Sequence, residues 1–194
     1  MTRTLAVMTA LLLTGCSGYA LIPAAAPVTI EKSLVVTPPN AWNKLSGEGP
    51  GKHADVWTLD GPALNELTFY AGIEESRPLI GDFDKRDSPL PRFTATMLPT
   101  DIAALFESTY RVAGGTALFE MHAIEPASFA GHPGFRFRYA YSLQEEEVRR
   151  DGEATGAVIG GRLYLIAFEA PTLHYFERDV AAYRAIVASA RVVS

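Results

Sequence analysis

Phe135-Arg136-Phe137-Arg138-Tyr139-Ala140-Tyr141 alternates aromatic with polar or small residues, and the chain after it repeats the theme. A strict period of two puts every aromatic ring on one face of an extended strand. Val148 to Ile159 reads as a following strand, Gly160-Gly161 as a two-residue turn, and Arg162-Leu163-Tyr164-Leu165-Ile166-Ala167-Phe168-Glu169 as the return. Two glycines suit a hairpin turn whose central positions both need positive φ. With Ala117 to Ile124 in front, these segments predict a four-stranded antiparallel meander.

Working outward, helices flank the meander. Ile102, Leu105, Phe106, Thr109 and Val112 recur at helical spacing, so a helix is expected from about Thr100 to Ala113. Thr100 or Asp101 would cap its free N–H groups, and Gly114-Gly115 would end it. A second helix is expected from about Thr172 to Ala190, capped by Thr172, with Leu173, Phe176, Val180, Tyr183 and Val187 as its apolar stripe. Upstream, Ser33–Thr37, Ala54–Leu59 and Glu66–Ala71 read as strands. The charged, proline-bearing stretch 74–96 reads as an irregular surface excursion. Strands, helix, meander, helix give the α+β class, an antiparallel sheet packed against helices.

The N-terminus carries an address. Arg3 precedes an apolar run, Leu5 to Leu13, and small residues lead to Cys16, the one cysteine of the chain. The run is too short to span a bilayer, which takes roughly 20 apolar residues. Leu13-Thr14-Gly15-Cys16 resembles the bacterial lipobox. That resemblance implies cleavage after residue 15, a diacylglycerol thioether on Cys16, and usually an acylated new amino terminus. A second reading is an ordinary signal peptide with an incidental cysteine. A lone thiol cannot form an internal disulfide in an oxidising compartment, which fits lipidation. Ser17, where an aspartate would favour inner-membrane retention in enteric-type sorting, points to the outer membrane. Residues 16–29, small and proline-bearing, read as a lipid-anchored tether or as a segment packed along the domain, and 30–194 as a single domain.

The domain also resembles a known fold family. Gly131-His132-Pro133-Gly134-Phe135, the stretch Gly161 to Pro171 before a Tyr/Phe-bearing helix, and Pro38-Pro39-Asn40-Ala41-Trp42 are similar to the PsbP-like sandwich of many small bacterial lipoproteins. The resemblance spans roughly residues 30–194 and implies a fold without an activity.

Composition and motifs narrow the function. The formal charge is −5, and loss of Arg3 with the leader would make it about −6. No cluster of lysines and arginines suggests a nucleic-acid partner. His53, His122, His132 and His174 do not fall at metal-ligand spacing. His122 shares a strand with Glu120, His132 sits in a turn, and His174 stands three residues before Glu177; structural pairing explains each. Asp82, Asp84 and Asp87 miss a calcium loop, because Arg86 and Asp87 stand where a ligand and a glycine belong. Gly47 to Lys52 has phosphate-loop composition with the wrong spacing. Ser128 and His132 lack a nucleophile elbow. Glu145-Glu146-Glu147 with Arg149-Arg150-Asp151 reads as a solvated hairpin end or a polar docking surface.

The expectation is therefore a lipid-anchored lipoprotein facing the periplasm, serving as a non-enzymatic interaction or accessory module. The membrane would be one partner, through the anchor, and an envelope protein another. No cofactor beyond the lipid on Cys16, no metal and no catalytic residue is implied. Two alternatives stay open: a carrier or sensor for a small apolar ligand held between sheet and helix, and a hydrolase assembled from distant residues. A deep apolar pocket would favour the carrier, a cleft gathering His122 or His132 with acids and a nucleophile the hydrolase, and a filled core with a polar-rimmed patch the module.

Overall fold

In the computed structural model of the chain, residues 18–46, 54–81, 89–113, 116–143 and 148–193 are described. Among them the chain runs β1 (Tyr19–Ile22), β2 (Val28–Ile30), β3 (Leu34–Val36), β4 (Trp42–Leu45), β5 (Ala54–Thr58), β6 (Glu66–Ile73), α1 (Pro99–Ala113), β7 (Thr116–Phe129), β8 (His132–Leu143), β9 (Arg150–Ile159), β10 (Arg162–Pro171), α2 (Tyr175–Ser189) and β11 (Arg191–Val192). Strands β7, β8, β9 and β10 pair consecutively and antiparallel. They do not stand alone: they form half of an eight-stranded sheet in the order β1-β4-β5-β6-β10-β9-β8-β7. A small sheet, β11-β3-β2, accompanies it.

Each face of the large sheet is covered because alternate residues of its central strands are apolar in both directions. Phe135, Phe137, Tyr139, Leu163, Leu165 and Ala167 face α1, where Phe106 packs edge-on against Phe137 at 5.3 Å and Tyr139 at 5.0 Å. Trp57, Phe69, Tyr164, Ile166 and Phe168 face α2 and the small sheet, and Phe168 stacks on Phe176 at 5.8 Å and Tyr183 at 5.9 Å. The turn Gly160-Gly161 has φ of 58° and 77°, as a two-residue hairpin requires.

Several expectations need correcting. Of the two readings of 16–29, residues 19–22 follow the packed one. They pair with β4, and Gly18 already accepts a hydrogen bond from the Ser46 N–H at 2.8 Å. Ile22, buried against the core, drives that pairing. Residues 28–30 likewise pair with β3. α2 starts at Tyr175, not Thr172. Thr172 donates its N–H to the Arg149 carbonyl at 3.0 Å, and His174 has φ of 75°, outside the helical region. Leu173 therefore precedes the helix and is exposed, and Val112 on α1 is exposed as well. At the start of α1, Pro99 takes the first helical position and Asp101 reaches back to accept from the Leu98 N–H at 2.9 Å. The described parts of 74–96 are not merely surface: Leu79, Leu90 and Phe93 are buried, the Ser76 N–H donates to the Phe93 carbonyl and the Phe93 N–H to the Arg77 carbonyl, both at 2.9 Å. Cys16, Gly47 to Lys52, His53, Asp82, Asp84, Asp87, Gly114, Gly115 and Glu145 to Glu147 lie outside the described residues.

Candidate functional site

Two polar constellations arise from the register of the large sheet. The first lies under α1. Antiparallel pairing sets Glu169 of β10 opposite Glu66 of β6 on one side and Gly152 of β9 on the other; Gly152 in turn faces Tyr139 of β8. Directly opposed residues share a face, so both carboxyls point towards α1. Gly152 has no side chain, and the Tyr139 ring fills that space: a Cβ there would lie 2.1 Å from the ring. This lets the Tyr139 hydroxyl cross β9 and donate to Glu169 Oε2 at 3.0 Å. Tyr110 of α1 donates to the same oxygen at 2.6 Å, and Tyr141 donates to Oε1.

Burial, reinforced by the Glu169 charge, pushes the hydroxyls of Tyr110, Tyr139 and Tyr141 well above the ordinary phenol range. They remain protonated donors. Glu66 behaves differently. Burial, then repulsion from Glu169, raises its carboxyl to about 7, while the Thr68 hydroxyl at 3.0 Å and the nearby Arg150 pull the other way. Arg150 is itself buried and donates to the carbonyls of Ala63 and Pro62 at 2.8 and 3.1 Å. The cluster is thus a carboxylate with three phenol donors, a proton-holding neighbour and a compensating guanidinium. Both Glu169 oxygens are occupied and the phenols do not ionise, so neither offers a free nucleophile.

The second constellation faces outward beside α2. An open cleft of about 350 Å³ is lined by Ser128 of β7, Arg136 of β8, Glu153 and Thr155 of β9, and Arg184 and Ala188 of α2, among others. Glu153 is only 1% exposed and receives a two-pronged bond from Arg184, at 3.0 and 2.5 Å. Arg136 pairs with Glu125 at 2.6 Å, and Arg138 approaches Glu153 at 4.0 Å while lying over the Phe176 ring. Thr155 and Tyr183 share a hydrogen bond of 2.8 Å beneath the floor. The two arginines that line the cleft are each paired with a carboxylate, Arg136 with Glu125 and Arg184 with Glu153, so the rim is polar and close to charge balance.

The described histidines, His122, His132 and His174, are dispersed. His122 is exposed on β7; the neighbouring Glu120 carboxyl is held below its ordinary range chiefly by Arg149, bonded at 2.7 Å. His132 opens β8 just after the turn Ala130-Gly131 and is exposed. His174 precedes α2 and packs edge-on against Tyr175 at 5.2 Å, so helical i,i+3 geometry with Glu177 does not apply. Ser128 reaches the cleft without His132 among the lining residues. Among the described residues no group of three or more His, Cys, Asp or Glu side chains gathers as a metal site. Sequence reasoning missed Glu66, Glu169, Arg150 and Arg184. A carboxylate in the apolar run Leu163 to Pro171 was the available signal, because such a residue needs buried partners.

No family model matches the chain, and no curated protein does. Among solved structures, the chain is similar to cyanobacterial PsbP (CyanoP) from Synechocystis, with TM-score 0.57 and 15% identity over 96% of this chain and 99% of that one. The fold is therefore PsbP-like, with antiparallel sheets and two helices. A protein from Bacteroides thetaiotaomicron aligns with TM-score 0.49 and 7% identity, covering 86% of this chain and 47% of that one. LpqN of Mycobacterium tuberculosis, involved in cell envelope biogenesis, aligns with TM-score 0.35 and 11% identity, covering 92% and 93%.

Proposed function

We propose that the protein is an envelope lipoprotein, anchored through acylated Cys16, whose PsbP-like domain faces the periplasm as a non-enzymatic accessory module. The observation that carries this reading is Leu13-Thr14-Gly15-Cys16 closing a short apolar leader. Ser17 extends it to the outer membrane. The only non-protein group in this reading is the lipid on Cys16, and the partners are the bilayer and an envelope protein; nucleic acid is not one.

The filled core supports a module over a carrier. Phe106, Phe137 and Tyr139 occupy the space between sheet and α1, and Phe168, Phe176 and Tyr183 that between sheet and α2. The polar cleft beside α2, with the paired Arg136 and Arg184 on its rim, is the recognition surface in this reading. The hydrolase alternative loses ground because neither His122 nor His132 lines the cleft with Glu153.

The anchor is tested by Cys16→Ser, which should abolish acyl labelling and release the protein from membranes; unchanged fractionation and labelling refute it. The module is tested in cells with a photo-crosslinker at Ala188, on the cleft, against Val112, exposed on α1 across the sheet. One envelope protein captured from position 188, not from 112, and lost with Cys16→Ser is the expected result. Equal capture from both positions, or none, overturns the module reading.

A further inference from the structure

The edge strand nearest the anchor is built differently from the opposite edge. β1 ends the eight-stranded order and pairs on one side only, with β4. Its sequence, Tyr19-Ala20-Leu21-Ile22, has no charge and no proline. Ile22 is buried, whereas Tyr19 is 45% and Leu21 71% exposed. Residues 19 and 21 share a face by the period of the strand, and Leu45 and Asn43 of β4 stand opposite them in register. β7, at the other edge, has Glu120, His122, Glu125 and Pro126 and two register shifts. Charges, prolines and bulges are how open edges are protected from unwanted pairing. β7 carries those devices, whereas β1 has only its short length and leaves an apolar pair, Tyr19 and Leu21, open on its outward face.

The anchor supplies the occupant. Gly18 is already held by Ser46, and only Ser17 separates it from Cys16. Two Cα steps reach at most about 7.6 Å. A diacylglycerol on Cys16 fixes that residue at the headgroup level, which leaves the start of β1 no room to float free. Tyrosine, apolar in its ring and polar at its tip, suits the boundary between headgroups and acyl chains, and leucine suits the layer just below.

We propose that the outward face of β1, Tyr19 and Leu21, lies directly against the bilayer that Cys16 enters, so that the domain is apposed to the membrane and not suspended from it. This rests on the lipoprotein reading above. It orients the molecule: β1 is the sheet edge nearest the lipid, and β7 with the cleft residue Ser128 is the edge farthest from it, seven strand spacings of about 4.8 Å across the sheet.

The test uses the full, matured chain in vesicles of phosphatidylethanolamine and phosphatidylglycerol. The chain has a single cysteine, and acylation blocks its thiol, so Leu21→Cys and Ala123→Cys each give one labelling site for an environment-sensitive dye. Both positions are exposed and leave the core intact. Quenching by lipids with a nitroxide near the headgroup should be several-fold stronger at position 21 than at position 123 on β7, with a blue-shifted emission. Mass spectrometry of the N-terminal peptide reports the acyl groups on the same samples. Equal, weak quenching at both positions on acylated protein overturns the apposition and leaves the anchor standing. A blue-shifted but unquenched dye at position 21 means that protein covers the edge, and also overturns it. Unacylated Cys16 overturns the lipoprotein reading and this inference together.

Discussion

Neutralising Glu66 should flatten the dependence of stability on pH. The folded protein holds the Glu66 proton up to about pH 7, against an ordinary value of 4.5. Between those limits the native state binds more protons than the unfolded chain, so stability must fall as pH rises. Each pH unit in that window costs about 1.4 kcal/mol, which over the whole window amounts to about 3 kcal/mol. Glu66 keeps part of its surface open to solvent, and screening by that water reduces the loss to about 2 kcal/mol. The groups around it set the sign: Glu169 repels the second charge, while Arg150 and the Thr68 hydroxyl offset only part of that repulsion. Glu66→Gln keeps an oxygen to accept from Thr68 and removes the titration. Urea unfolding at pH 5, 6, 7 and 8 should show wild type losing about 2 kcal/mol across the series and the variant much less, with the variant the more stable protein at pH 8. Parallel profiles for the two proteins would refute the account of the carboxyl pair.

Other perturbations test the same structure. Gly152→Ala places a Cβ 2.1 Å from the Tyr139 ring and should cost about 2–4 kcal/mol in denaturant unfolding, through displacement of the ring and loss of its bond to Glu169. Gly156→Ala should cost more, because its Cβ would sit 2.3 Å from the Tyr164 carbonyl, a backbone atom locked in the neighbouring strand; near-wild-type stability would contradict the register. Tyr110→Phe should lose about 1.5–3 kcal/mol, the range for a hydrogen bond to a charged group, with the helical signal kept. Arg184→Met should cost about 2–3 kcal/mol by leaving buried Glu153 without its two-pronged partner, and the double change with Glu153→Leu should recover most of it; no recovery would mean that packing, not charge, sets the cost.

What was legible in the sequence follows from how strongly each element is patterned. The aromatic alternation of β8, the glycine pair before β10 and the stripe Ile102-Leu105-Phe106 of α1 each repeat a period long enough to be read alone. β1, β2, β4 and β11 span two to four residues and exist because distant strands pair with them. No local period announces such strands, and the prolines and small residues of 17–28 resemble a linker equally well. Leu79, Leu90 and Phe93 lie scattered among prolines and charges with no period, and Leu79 and Phe93 are buried by joining the core around Phe106, which the local sequence does not show. The sequence places the start of α2 too early because Thr172 is a good capping residue by type, but the positive φ of His174 breaks the chain before the helix and the Thr172 hydroxyl caps nothing. The buried carboxyl pair was hidden for another reason. Glu66 and Glu169 are more than a hundred residues apart and meet only through the register of β6 with β10.

That register also explains why so costly a cluster lies beneath α1. Burying carboxyls, a guanidinium and phenols is unfavourable unless every member finds a partner. Here Tyr110 arrives from α1, Tyr139 and Tyr141 from β8, Glu169 from β10, Glu66 from β6 and Arg150 from β9. An apolar core alone specifies register weakly in these strands, because β10 is apolar on both faces: Phe168 and Ala170 serve one side as well as Leu165 and Ala167 serve the other. A slip of one residue would turn Glu169 towards α2 and leave three phenols without their acceptor. The penalty for that slip is several unmade buried hydrogen bonds at about 1–3 kcal/mol each. Through Tyr110, the same bonds fix where the C-terminal end of α1 sits over the sheet. The cluster therefore acts as a register lock for four strands and a helix, and its chemistry is spent on holding the scaffold that presents β1 and the α2 cleft at the surface.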